Sequence, residues 1–328
     1  MSGRTGGRRS ARLLGRLAPV PVLLGVLAPP ALALKPEIGY PATPGDFGIV
    51  CEWVTVQSPD SVRLVGWFYP AQDTAGIANH LVGRVMPVPK EMRPAARPYR
   101  PMPGGPRPTV VISGGDAGNM SFAILSAYRL CTRGFNVFTF DWRGFGESAP
   151  WRMPRDQLVC TEFLADFEAA LALVKARPEV DPERIGLMGF STGAYLSFAM
   201  LARHPELDAL VARAIPSSFA DLLPTIAPLD TTRHWYAPGD YPTELLPANA
   251  TGRVTQAVLL IVGEKDVRTP PWMSEKVYRG LKGPRELWIV PGAGHGGMAA
   301  PEAVAPEEFW ERATAFFSRH LVGKGGGR

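Results

Sequence analysis

The chain has 328 residues, 46% of them apolar and 20% charged, which suits one large α/β domain or two small ones and excludes a wholly disordered chain. Its net charge of +5 is carried by Arg4, Arg8, Arg9, Arg12 and Arg16, because residues 1–33 hold no acid. The remainder is neutral, so charge gives no case for nucleic acid as a partner. Cys51, Cys131 and Cys160 match no metal-ligand spacing and read as ordinary buried thiols.

In chain order, residues 1–33 read as an export signal. An arginine-rich start leads into an apolar run over 17–28 and then Ala31-Leu32-Ala33, an A-x-A cleavage pattern. The run is short and broken by proline, so it is a poor membrane span. Arg8-Arg9 resembles a twin-arginine signal weakly. The expectation is an exported protein, periplasmic or secreted; an uncleaved N-terminus would allow membrane association. Residues 34–323 form the expected main domain. Strands over 51–56 and 62–69, joined by Ser58-Pro59-Asp60-Ser61, predict an antiparallel hairpin. A proline- and arginine-rich stretch over 72–107 reads as a surface excursion. From Pro108 the pattern alternates. Strands are predicted over 109–112, 137–140, 185–188, 211–215, 257–262 and 286–290, with helices over 156–176, 272–281 and 306–321. Repeated βα units predict a mostly parallel sheet with helices on both faces, and ligands at the carboxyl ends of its strands. The stretch 216–252 breaks the alternation and reads as a small lid carrying His234, Trp235, Tyr236 and Tyr241. Residues 324–328 read as a flexible tail.

Gly189-Phe190-Ser191-Thr192-Gly193 has the pattern G-x-S-x-G between a strand-like and a helix-like run. That context places Ser191 on a strained, exposed turn at a sheet's carboxyl end. The helix that follows offers free backbone N–H groups, where negative charge is favoured. A serine hydroxyl is a weak nucleophile and needs a base, which in turn needs an orienter. Of the histidines, His80 lies in the excursion, His204 at the end of a helix, His234 in the lid and His320 in the last helix. Only His295 directly follows a strand, in a glycine-rich loop at the same sheet end as Ser191. Asp266 follows the preceding strand, with Glu264 as its competitor. The order Ser191, Asp266, His295 is that of an α/β-hydrolase triad. An oxyanion hole needs two donors. Thr192 N–H is one, and Asp116 N–H, with Gly115 next, is the choice for the other, on the loop 113–119.

These residues resemble the α/β-hydrolase superfamily, its esterase-like and serine-aminopeptidase-like branch, over about residues 50–321. A further motif, Asp141-Trp142-Arg143-Gly144-Phe145-Gly146-Glu147-Ser148, looks like the family's D-x-R-G-x-G-x-S turn, which is structural. The loop 115–119 is similar to the family's H-G-N-A-G-N loop, with Gly114 in place of His and Asp116 in place of Asn. A carboxylate there would repel the oxyanion unless it points away. The resemblance implies a serine hydrolase acting on a small-molecule ester or related acyl bond, with no metal or organic cofactor. Two alternatives stay open. A peptidase on short peptides would need acids for the substrate amino terminus, for which Glu147 and Asp240 are available. A non-catalytic binding protein with a retained fold is favoured only by Asp116. Trp235, Tyr236 and Tyr241 of the lid, with Phe190 and Met298 near the triad in sequence, suit an apolar acyl pocket, the alternative for the lid aromatics being the lid's own small core.

Overall fold

Short β-branched and leucine-rich runs bounded by turn residues set the strands, and burial on both faces is what parallel strands between two helix layers require. The computed structural model describes residues 1, 34–73, 100–154, 156–232 and 234–323. Residues 2–33, expected to be an export signal, most of the 72–107 stretch with His80, and residues 324–328 lie outside the described residues. The strands in chain order are β1 (Lys35–Pro36), β2 (Glu52–Gln57), β3 (Arg63–Tyr69), β4 (Arg107–Ser113), β5 (Ala117–Gly118), β6 (Asn136–Phe140), β7 (Val180–Phe190), β8 (Ala209–Arg213), β9 (Ala257–Gly263) and β10 (Arg285–Val290). The helices are α1 (Ile124–Cys131), α2 (Phe163–Lys175), α3 (Thr192–Arg203), α4 (Phe219–Ile226), α5 (Pro247–Ala250), α6 (Pro271–Gly280), α7 (Pro301–Val304) and α8 (Pro306–Phe317).

An 8-stranded sheet runs β2-β3-β6-β4-β7-β8-β9-β10. From β6 to β10 every pairing is parallel. The predicted hairpin is β2 against β3, and β3 joins the parallel part by an antiparallel edge with β6. The expected mostly parallel sheet with helices on both faces is therefore borne out. Alternation along each strand feeds two cores. In β9, Val258 and Leu260 pack with Phe167 of α2, Phe198 of α3 and Val277 of α6. Leu259 and Ile261 pack on the other face with Leu130 of α1 and Phe316 of α8. Full burial of each such side chain contributes about 1.5–3 kcal/mol. Among the described residues no helix is long and apolar enough to cross a membrane.

The expected boundaries shift where backbone hydrogen bonds go elsewhere. The helix expected over 156–176 begins only at Phe163. Residues ahead of it pair with the 216–252 stretch: Leu158 N donates to Tyr236 O, and Tyr236 N to Asp156 O, each at 3.0 Å. The strand expected over 211–215 ends at Arg213, because Ala214 turns to φ 54°. The last helix ends as a regular α-helix at Phe317 and continues as a wider turn over Ser318–Val322. The stretch 216–252 holds α4, capped by Ser218 and containing Pro224, and the short α5. Cys131 and Cys160 are buried and Cys51 is half-buried, all three as free thiols; burial pushes each thiol up to about 12.

Candidate active site

β7 ends at Phe190, and Ser191 caps α3 with φ 51° and ψ −112°. Such a conformation costs a non-glycine residue about 1–3 kcal/mol and persists only where its surroundings enforce it. Here the Ser191 N–H donates to the Arg213 carbonyl at the end of β8, at 2.9 Å. The flanking glycines supply space. A Cβ on Gly189 would lie 2.6 Å from the Ala194 Cα, and one on Gly193 would land on the carbonyl oxygens of Ser113 and Gly114. The turn is thereby wedged against the end of β4. The Ser113 hydroxyl, 3.0 Å from Gly193 O and 2.8 Å from the Ser197 hydroxyl, ties β4 to α3.

The loops after β9 and β10 are joined in the same way. A Cβ on Gly263 would strike the Ala293 and Gly294 carbonyls. Glu264 N donates to Val290 O at 3.0 Å and Lys265 N to Ala293 O at 2.7 Å. This contact brings His295 Nδ1 to 2.8 Å from Asp266 Oδ2. The Asp266 carboxylate is fully buried. It also accepts from Arg268 N, Thr269 N and Thr269 Oγ1, each at 2.9 Å. Burial would push its carboxyl up, but the His295 hydrogen bond and charge and the Thr269 donors hold it below the usual carboxylate range. With Nδ1 facing that carboxylate, the hydrogen-bond network assigns the proton to Nδ1 and leaves the Nε2 lone pair free. His295 Nε2 is buried and makes no hydrogen bond among the described residues. Glu264, the competing acid, is exposed and accepts from Gly292 N at 2.9 Å, away from the His295 ring.

Ser191, Thr192, His295 and Asp116 line one small cavity of about 20 Å³. Neither the Thr192 nor the Asp116 N–H donates to a backbone carbonyl among the described residues. The loop carrying Asp116 is fixed from outside by β1: Lys35 N donates to Asp116 O at 2.7 Å and Glu37 N to Gly118 O at 2.9 Å. Asp141 holds its far end, accepting from Met120 N at 2.6 Å. The Asp116 carboxylate faces Arg268, with Nη2 to Oδ2 at 3.0 Å. Leu222, Ile226 and Trp235 of the 216–252 stretch complete the cleft. Tyr241 instead packs edge-on against Tyr195 and Phe219 in the core. Tyr236 and Met298 are exposed and line no part of the cleft. The Phe190 ring sits 5.2 Å from the His295 ring and 3.5 Å from the Arg213 guanidinium, and faces a larger cavity of about 400 Å³ beside the loop 113–119.

The motif at 141–148 is a brace. The Ser148 hydroxyl donates to Asp141 O and accepts from Val65 N, both at 2.9 Å. Buried Arg143 is gripped by buried Asp166 and by Asp60. Sequence reasoning did not single out three features: Arg268, Thr269, and Arg213, whose Nη1 donates to the His295 carbonyl at 2.8 Å while Nη2 pairs with Glu302 at 3.0 Å. Arg268 had a signal. A carboxylate at Asp116 calls for a cation, and Arg268 stands just beyond Asp266 on a loop at the same sheet edge.

The model of the prolyl oligopeptidase family matches residues 120–324. The uncharacterized protein Rv2307c of Mycobacterium tuberculosis is 28% identical over 242 residues, covering 74% of this chain and 71% of the relative. The rat acylamino-acid-releasing enzyme is 24% identical over 324 residues, 92% of this chain but 43% of its own length. Among solved structures, the Pyrococcus furiosus esterase Pf2001 superposes with a TM-score of 0.65 at 21% identity, covering 88% of this chain and 98% of the esterase. A puromycin-hydrolyzing peptidase of Mycobacterium tuberculosis superposes with a TM-score of 0.62 at 19% identity, covering 83% of this chain and 39% of that one. Sharing that fold and matched over most of its length, the chain belongs to the prolyl oligopeptidase family and is an α/β-hydrolase superfamily serine hydrolase.

Proposed function

We propose that the protein hydrolyses an ester or related acyl bond of a small molecule, with Ser191 as nucleophile, His295 as base and Asp266 as its orienter. The observation that carries this reading is the 2.8 Å contact between His295 Nδ1 and the buried Asp266 carboxylate, in a cleft that also holds the strained Ser191 turn. Ser191 Oγ attacks the carbonyl carbon while His295 Nε2 takes its proton. Asp266 stabilises the imidazolium that forms. The N–H groups of Thr192 and Asp116 receive the oxyanion, a contribution of about 10²–10³ in kcat per donor. The tetrahedral intermediate collapses as His295 returns the proton to the leaving group. Water, deprotonated by His295, then attacks the acyl-enzyme and releases the acid. Hydrolysis of p-nitrophenyl esters and labelling by a fluorophosphonate test the reading directly. Ser191→Ala is expected to abolish labelling and to lower kcat by about a millionfold. Hydrolysis and labelling at the wild-type level in that variant would overturn it.

The family match and the peptidases among its relatives favour a second reading, cleavage of short peptides. A free substrate amino terminus would need an unpaired acid in the cleft. Asp116 is the carboxylate among the described lining residues, and Arg268 already occupies it. Asp240 accepts from the Thr161 hydroxyl at 2.7 Å, and neither it nor Glu147 lines the cleft. These observations support esters over peptides with free amino termini. A panel of aminoacyl-amides run beside simple acyl esters separates the two readings.

A further inference from the structure

The carboxylate of Asp116 belongs to the same residue whose backbone N–H is assigned to the oxyanion, and left unpaired it would oppose the reaction. Three contacts keep Arg268 over it. Its guanidinium Nη2 is 3.0 Å from Asp116 Oδ2. Its backbone N–H is 2.9 Å from Asp266 Oδ1. Its carbonyl accepts from the Thr225 hydroxyl of α4 at 2.6 Å. Arg268 thus joins the oxyanion loop, the acid loop and the lid helix, and both members of the pair line the cleft beside Ser191. The two side chains are only partly exposed, 38% for Arg268 and 19% for Asp116, so water screens the pair incompletely.

We propose that Arg268 is a positioning and specificity residue: by occupying the Asp116 carboxylate it lets the oxyanion meet N–H dipoles without an adjacent negative charge, and it closes the cleft to substrates bearing an ammonium group. The substrate class is then an ester of an uncharged acyl group. Two effects belong to one ion pair. Removing the guanidinium leaves a negative charge beside the developing oxyanion, which slows the acyl step. It also exposes a carboxylate that attracts a cationic acyl group, so rejection of such groups is lost.

This inference rests on the Ser191 reading, and a cycle of Arg268→Ala, Asp116→Asn and the double variant tests it separately. The substrates are a p-nitrophenyl acyl ester and its aminoacyl counterpart of matched length. Arg268→Ala in the wild-type background is expected to lower kcat for the neutral ester about ten- to a hundredfold, with KM little moved. The same change made beside Asp116→Asn is expected to cost less than about threefold, because no charge remains to be neutralised. The ratio of kcat/KM for the cationic ester to that for the neutral ester is expected to rise about tenfold in Arg268→Ala and to fall back in the double variant. Equal losses in both backgrounds would overturn the inference and assign Arg268 a direct contact with the oxyanion. A fall in melting temperature with no change in kcat or in the substrate ratio would overturn it in favour of a mere latch between loops. Ser191→Ala, run on the same esters, reports on the triad alone.

Discussion

At the residue scale, the arrangement around His295 shows how one carboxylate does several jobs. Asp266 accepts from two backbone N–H groups and the Thr269 hydroxyl while facing His295 Nδ1. It is therefore locked before it orients the ring. Asp266→Asn can present an amide N–H to Nδ1, which favours the wrong tautomer and removes the charge that stabilises the imidazolium. The Thr269 hydroxyl, 3.2 Å from His295 Nδ1, is placed to accept part of that role. The expected outcome is a drop in kcat of about a hundred- to ten-thousandfold with KM little changed, read by steady-state ester hydrolysis. The same variant has a stability signature. The Asp266 carboxyl is held below its ordinary range, so its stabilisation is present above about pH 4 and is lost as pH falls through the lower folded value. Acid unfolding followed by circular dichroism is expected to be shallower below pH 4 in Asp266→Asn than in the wild type.

At the element scale, the site is built where loops and helix ends touch with no room for a side chain. Gly193 is the tightest of these contacts in the nucleophile turn, since its missing Cβ would overlap the end of β4. Gly193→Ala must push α3 away from Ser113 and tilt Ser191. Loss of most of the proposed activity on p-nitrophenyl esters together with a lower melting temperature is expected. Gly114→Ala is the control, because a Cβ there meets nothing within 4 Å. Such contacts also mark the limit of what could be read from the chain. The strands β4 and β9 were legible because their apolar runs are nearly continuous and end in serine or glycine, whereas only the apolar second half of β7, from Ile185, could be read. The residues proposed for the triad could be placed together because Ser191, Asp266 and His295 each follow a strand, and strand ends converge in a parallel sheet. The helix start at 163 was not legible, because the residues before it pair with Tyr236, a contact that no local pattern encodes. The pairing of β1 with β5 was hidden for the same reason: Lys35–Pro36 has no strand signal and is held by the loop it braces.

At the scale of the whole molecule, the two cores are separate layers and a few polar groups reach between the loops that cap them. Asp141 is one of these. Its carboxylate accepts from Met120 N on the oxyanion loop side and from the Tyr40 hydroxyl, each at 2.6 Å. It stands at the start of the turn that carries Arg143, with Glu147 nearby as a like charge. Burial raises its carboxyl from the ordinary range to about 6, against the pull of the Tyr40 and Met120 hydrogen bonds. The sign follows from linkage: the folded protein holds a proton that the unfolded chain has lost, so this group makes the fold less stable as pH rises from about 4 to about 6. The carboxylate is then an expense of on the order of 2–3 kcal/mol at neutral pH, kept in place by the packing around it. Asp141→Asn keeps an oxygen for Met120 N–H and turns the Tyr40 hydroxyl bond around, while removing the ionisation. Urea denaturation at pH 5 and pH 7 is expected to show the wild type losing stability between the two and the variant losing far less. A wild-type stability that rises between pH 5 and pH 7 by the same amount as the variant's would mean that Asp141 is ionised throughout, with the Met120 and Tyr40 donors outweighing its burial.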